Sequence, residues 1–178
     1  MGSSSYKVAF GGIACALSLL CMFLSGVFPM AEYTTPALAG IILVVLVIDF
    51  GKPAAWIAYG AVSLLSLFIT PNKEAVILFI AFLGYYPILK SNLEQIKSRV
   101  LEWVLKMLVF NAACISAYFV IINLFGMTEL ITEMSMGLEY GIYLFLALAN
   151  AVFVLYDIAL SQVITFYFNV IRPKLRIK

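Results

Sequence analysis

The sequence predicts an all-α integral membrane protein: one domain over 1–178, a bundle of six transmembrane helices, multi-pass in the cell membrane with both termini cytoplasmic. Three observations carry that expectation. Of 178 residues, 65% are hydrophobic and 11% charged, with a mean hydropathy of +1.09, far from the balance of a soluble domain. The apolar residues fall in continuous runs rather than the alternation of a membrane strand. Lys and Arg gather in alternate links between those runs.

The expected spans are 8–28, 34–50, 53–70, 74–90, 103–125 and 138–168. The second to fourth have short apolar centres against the roughly 20 residues a perpendicular helix needs. Neutral flanks such as Tyr33 to Pro36, and Pro87, extend them. Lys7 precedes the first span and Lys52 separates the second from the third. Lys90, Lys97, Arg99 and Lys106 surround the link from the fourth to the fifth, and Arg172, Lys174, Arg176 and Lys178 follow the sixth. The other links hold Glu32, then Lys73 with Glu74, then Glu129, Glu133 and Glu139. Cytoplasmic loops collect Lys and Arg, so an even number of spans is expected, with Lys73 alone on the wrong side. Trp56 and Trp103 fall at inner boundaries and Tyr33, Tyr140 and Tyr143 at outer ones, as belt residues.

The opening "MGSSSYK" has Tyr6 where a myristoylation signal needs Ser or Thr. No small-x-small cleavage site follows the first run, which is expected to stay as a helix. That helix reads "AFGGIACALSLLC", and Gly12 to Ala16, Gly11 to Cys15 and Ala14 to Ser18 all have small residues four apart. Such faces let another backbone approach closely, either within the bundle or in a partner. Cys15, Cys21 and Cys114 lie inside apolar runs and read as small packing residues.

Between the fourth and fifth spans runs "GYYPILKSNLEQIKSRVLEW". Gly84 and Pro87 should bend or stop the fourth helix. Ser91 with Glu94 has the form of a capping box, and Leu93, Ile96, Val100 and Val104 recur at helical spacing. An interfacial amphipathic helix is expected there.

Within the sixth run, the stretch "LANAVFVLYDIALSQVITFY" is almost wholly apolar but holds Asn150, Asp157, Ser161 and Gln162. Asn150, Asp157 and Ser161 share a helical stripe, and an ionised Asp in a bilayer costs about 3 kcal/mol on insertion scales, so the stripe should face protein. Asn111, Tyr85 and Tyr86 are its expected neighbours. Asp157 has three readings: a device fixing helix register, a ligand contact, or a proton-coupled gate. Asp49 ends the second run beside Lys52 and reads as an interfacial ion-pair partner, with Lys106 a candidate.

Several function classes drop out. With no His, the chain has no His-based zinc site, no Ser-His pair and no haem-ligating imidazole. It has no phosphate loop of the Walker type, and its basic residues do not interleave with stacking aromatics as a nucleic-acid surface requires. No catalytic residue, metal site or cofactor is expected, and no nucleic-acid partner.

Six spans, a small-residue first helix and an acidic link before the last helix resemble the substrate-binding S components of energy-coupling factor (ECF) transporters, the bacterial vitamin and micronutrient importers. Within that group, "FLGYYPILKSNLE", "KMLVFNA" and "NAVFVLYDIAL" resemble clostridial-type members whose substrate is unassigned. The resemblance implies a non-enzymatic capture subunit for a small-molecule substrate, embedded in the lipid bilayer and driven by a membrane coupling subunit with two ATPase subunits. It implies partner docking through Ala9, Gly12 and Ala16, where the family has Ala-x-x-x-Ala. Family members hold their ligand in the outer half, which here offers Asn150, Tyr118, Asn123, Glu139, Tyr140 and Tyr143, while Asp157 and Asn111 lie in the middle or inner half. The candidate substrate contacts are therefore Asp157, Asn150, Asn111, Tyr118, Glu139, Tyr140 and Tyr143. An acidic rim of Glu129, Glu133 and Glu139 would suit a cationic or neutral ligand. The competing readings are a non-transporting membrane scaffold of the same fold, as in the cell-elongation machinery, and a stand-alone proton-coupled carrier using Asp157.

Overall fold

The computed structural model describes residues 4–28, 31–123 and 141–174. These are helical, with no strand among them: α1 (Ser4–Leu24), α2 (Thr34–Phe50), α3 (Lys52–Ile69), α4 (Lys73–Leu78), a π-helical turn (Phe79–Leu83), α5 (Tyr86–Leu93), α6 (Arg99–Asn123), α7 (Gly141–Phe166), a second π-helical turn (Tyr167–Ile171) and α8 (Arg172–Lys174). Five helical stretches are long and apolar enough to cross a bilayer: Ser5–Leu24, Lys52–Ile69, Lys73–Leu93, Arg99–Val120 and Tyr143–Lys174. Thr34–Phe50 is apolar and shorter, at 17 residues. The fold is that of a helical, membrane-embedded protein. Its outward side chains are apolar, with Val8, Ile57, Phe68, Val100 and Leu155 each at least two-thirds exposed, a surface suited to lipid.

Local chemistry sets the joints. Gly51, at φ +86°, donates its N–H to the Val47 carbonyl and ends α2, and Pro53 lies in the first turn of α3, so one residue reverses the chain. Asn72 caps α4 by accepting the Ala75 N–H at 3.0 Å. Lys73 donates to the carbonyls of Leu67 and Thr70 at 2.8 and 3.0 Å, capping the end of α3. That use as a helix cap accounts for the one basic residue out of step with the charge alternation.

The segment from Lys73 to Leu93 is the centre of the bundle: 56% of its apolar window is buried, against 17 to 22% for the other four long stretches. One core lies on its α1–α3 side, with Met22, Leu43, Leu46, Val62 and Phe79. A second faces α6 and α7, with Val44, Phe82, Tyr86, Phe153 and Leu160. As expected from Gly84 and Pro87, the segment does not run as one regular helix. It passes through the π-helical turn, then Gly84 and Tyr85, and Pro87 falls in the first turn of α5, where its missing N–H costs little.

The interfacial helix expected to start at Ser91 is absent. Ser91 lies inside α5 and donates to the Ile88 carbonyl, α5 ends at Leu93, and 94–98 form a turn. Ser98 instead precedes α6 and accepts the Leu101 N–H at 3.4 Å. The helical spacing from Leu93 to Val104 therefore spans a helix end, a turn and a new start.

Small residues set two close approaches. Ser18 on α1 donates to the Ala39 carbonyl on α2 at 3.1 Å, and a Cβ on Gly40 would lie 2.1 Å from the Leu83 carbonyl oxygen. Gly12 has nothing within 4 Å of that position. Gly40→Ala is expected to destabilise the protein by about 1–3 kcal/mol through overpacking, and Gly12→Ala to change it by less than about 0.5 kcal/mol. Thermal melts in detergent compare the two, and equal melting temperatures would contradict this packing.

Candidate functional site

Tyr86, Lys90 and Glu94 lie four residues apart and share one face of α5 and its end. Glu102 and Lys106 repeat that spacing at the start of α6, and Asp157 comes from the middle of α7. These three segments converge on Asp157. One carboxylate oxygen accepts the Tyr86 hydroxyl at 2.5 Å and a close ion pair from Lys90, and the other accepts Lys106 at 3.0 Å. Lys90 also donates to the Asp157 backbone carbonyl at 3.1 Å and meets Glu94 at 3.0 Å. Lys106 meets Glu102 at 2.8 Å, with Glu94 at 3.8 Å.

Lys90, Lys106 and Asp157 are 0, 2 and 3% exposed. Two ammonium groups thus face three carboxylates, and the surplus negative charge sits toward Glu94, the most exposed member at 42%. Burial of this kind is tolerated only when every donor and acceptor has a partner. Here Asp157 has both oxygens engaged and each ammonium has an acceptor on two or more sides. Trp103 adds its ring 5.2 Å from the Lys106 nitrogen. Beside the cluster an open groove of about 860 Å³ separates the start of α6 from the end of α7.

The sequence-level expectation for Asp157 is corrected in part. It faces protein and Tyr86, as expected. Asn111 is not its partner: its amide pairs reciprocally with Asn150 at 3.0 and 3.2 Å, a second polar bridge between α6 and α7. Tyr85 turns to the other side and stacks on Trp56, with ring centroids 6.4 Å apart. The missed residues are Lys90 and Lys106, counted above as cytoplasmic loop charges. The pairs Lys90/Glu94 and Glu102/Lys106, four apart at a helix end and start, were the available signal. Asp49 pairs with neither Lys52 nor Lys106. Its carboxylate accepts the Tyr167 hydroxyl and lies 3.3 Å from the Arg172 Nε, while Lys52 bonds Asn92.

The outer candidates stay dispersed. Tyr118 sits edge-on to Phe119, Asn123 turns its amide onto the Phe119 carbonyl, and Tyr143 is 72% exposed. Among the described residues no hydrogen bond or ring contact joins Tyr118 or Tyr143 to Asn150. Glu139 and Tyr140, with Glu129 and Glu133, lie outside the described residues. Ala9, Gly12 and Ala16 are all exposed on α1, whereas Ala14 and Ser18 are buried against the bundle.

The fold and this cluster define a helical membrane protein organised around a buried ion-pair network. No protein-family model, curated protein or solved structure matches the chain.

Removing the Asp157 charge with Asp157→Asn leaves two buried cations undercompensated and is expected to cost about 3–5 kcal/mol. Combined with Lys106→Met, the loss should be smaller than the sum of the single losses. Denaturation of the four proteins in one detergent checks this, and strictly additive losses would show that the pair is not coupled.

Proposed function

We propose that this protein is the non-enzymatic substrate-capture subunit of an ATP-driven importer of the ECF type, serving a vitamin-like or other small micronutrient. A membrane coupling subunit and two ATPase subunits in other chains supply the energy. In this reading Thr34–Phe50 also crosses the bilayer, giving six spans with both termini on the cytoplasmic side of the cell membrane.

The observation that carries the proposal is the division of the small residues on α1. One set, Ala14 and Ser18, is used inside the bundle. The other, Ala9, Gly12 and Ala16, is left uncovered between exposed Ile13, Leu17 and Leu20. Lipid tails are as apolar as those leucines, so a partner helix gains affinity there by close backbone contact.

A scaffold of the same fold is the second reading, favoured by the closure of the charge network: both Asp157 oxygens and both ammonium groups are engaged by the protein's own groups. A pulldown from native membranes in mild detergent separates the two. Co-purification of a coupling subunit with ATPases is expected, and Gly12→Leu should reduce their recovery by about tenfold or more without unfolding the bundle. Recovery of cell-envelope proteins without ATPases would sink the importer reading.

A further inference from the structure

We propose that the groove between the start of α6 and the end of α7 binds the phosphodiester headgroup of an anionic phospholipid. The groove's deep charges are already paired, with one carboxylate in surplus: Lys106 meets Asp157 and Glu102 on its floor, and Lys90 behind them meets Asp157 and Glu94. Its mouth is different. Lys97 and Arg99 line it, are exposed, and have no carboxylate partner among the described residues.

The opposite wall sets polar side chains among the apolar Ile158, Phe166 and Val170. Ser161, Gln162 and Thr165 on α7 and Asn169 in the turn after it line this wall. Ser161 and Thr165 turn back onto backbone carbonyls of their own helix. The amides of Gln162 and Asn169 are exposed and bond to nothing described, which leaves donors facing the groove.

The surroundings select a lipid over a soluble anion. Lys106 lies seven residues into α6, about 10 Å below its end at 1.5 Å per residue, so the groove descends from headgroup level toward the acyl region. Val100, Val104 and Phe166 beside it are at least half exposed, giving acyl chains an apolar surface while the headgroup enters. A mouth whose unpaired charges are basic, set between helix ends with Trp103 in the lining, has the chemistry of anionic-headgroup recognition.

The test uses the full chain, purified in mild detergent and stripped of lipid. It is titrated with phosphatidylglycerol, with phosphatidylcholine of the same acyl chains, and with glycerol 3-phosphate, and binding is read by native mass spectrometry. Phosphatidylglycerol should bind in preference. The variant Lys97→Gln/Arg99→Gln, whose side chains are exposed, should match the parent's lipid-free melting curve and lose about tenfold or more in that affinity. Lys7→Gln, elsewhere on α1, should not change it. Equal binding of the two lipids, or an unchanged double variant, would overturn the proposal. Glycerol 3-phosphate binding as tightly as phosphatidylglycerol would overturn the lipid as the occupant.

Discussion

Burying Lys90, Lys106 and Asp157 together constrains everything around them, because a charge removed from water is tolerable only in one geometry. Three separate backbone segments must hold their groups within hydrogen-bond reach at once. α5 supplies Tyr86 and Lys90, α6 supplies Lys106, and α7 supplies Asp157, including its main-chain carbonyl. The break between α4 and α5 is where the chain adapts to this requirement. A π-helical turn holds one residue more than an α turn, so it rotates the following residues by about 100°. Tyr86 and Lys90 thereby face α7, while Phe79, which opens the π-helical turn, packs in the α1–α3 core.

The two sides of the central segment differ in that only the one facing α6 and α7 carries buried charge. Against α1–α3 the contacts are a close backbone approach at Gly40 with Leu83, aromatic packing of Tyr59 on Phe79 and Trp56 on Tyr85, and one hydrogen bond from the Tyr59 hydroxyl to the Ile80 carbonyl at 2.7 Å. In lipid the hydrophobic effect does not draw helices together, so close packing and interhelical hydrogen bonds of this kind carry the association. Against α6 and α7 the contacts are polar and aromatic: the charge network, the Asn111–Asn150 amide pair, and Phe110 stacked on Phe153 with centroids 4.6 Å apart. Interhelical hydrogen bonds in membranes average about 0.6 kcal/mol, so the amide pair alone would hold α6 to α7 weakly. The ion pairs make the attachment specific, since any slip of α7 strands a charge.

Much of this was legible in the sequence because hydropathy and charge act locally. Continuous apolar runs locate the helices, and Gly84 with Pro87 locates the break. Asp157 had to face protein wherever the fold placed it. The partners were not legible for a physical reason: basic residues near helix ends carry the same sequence signature whether they orient a loop or turn inward. Lys90 and Lys106 do the second, Lys73 caps a helix, and only the three-dimensional crossing of α5, α6 and α7 decides between these roles. The capping-box pattern at Ser91 failed similarly. A hydroxyl followed by Glu three residues on fits a helix start, but Pro87 had already begun the helix upstream, leaving Ser98 to precede the next one.

The uncovered face of α1 and the Asp157 network lie on different sides of the molecule. α1 packs on α2 and α3, whereas Asp157 faces the central segment and α6. Two helices connect these sides: α3, whose Tyr59 donates to the Ile80 carbonyl at 2.7 Å, and α2, which touches the central segment at Gly40 and Leu83 and is tied to the end of α7 by Asp49 with Tyr167 and Arg172. Gly40 leaves no space for a side chain there, so α2 and the segment after α4 meet backbone to backbone. Between α6 and α7 the groove separates the helix ends, while the Lys106–Asp157 pair on its floor and Phe110 stacked on Phe153 hold the two helices together further in.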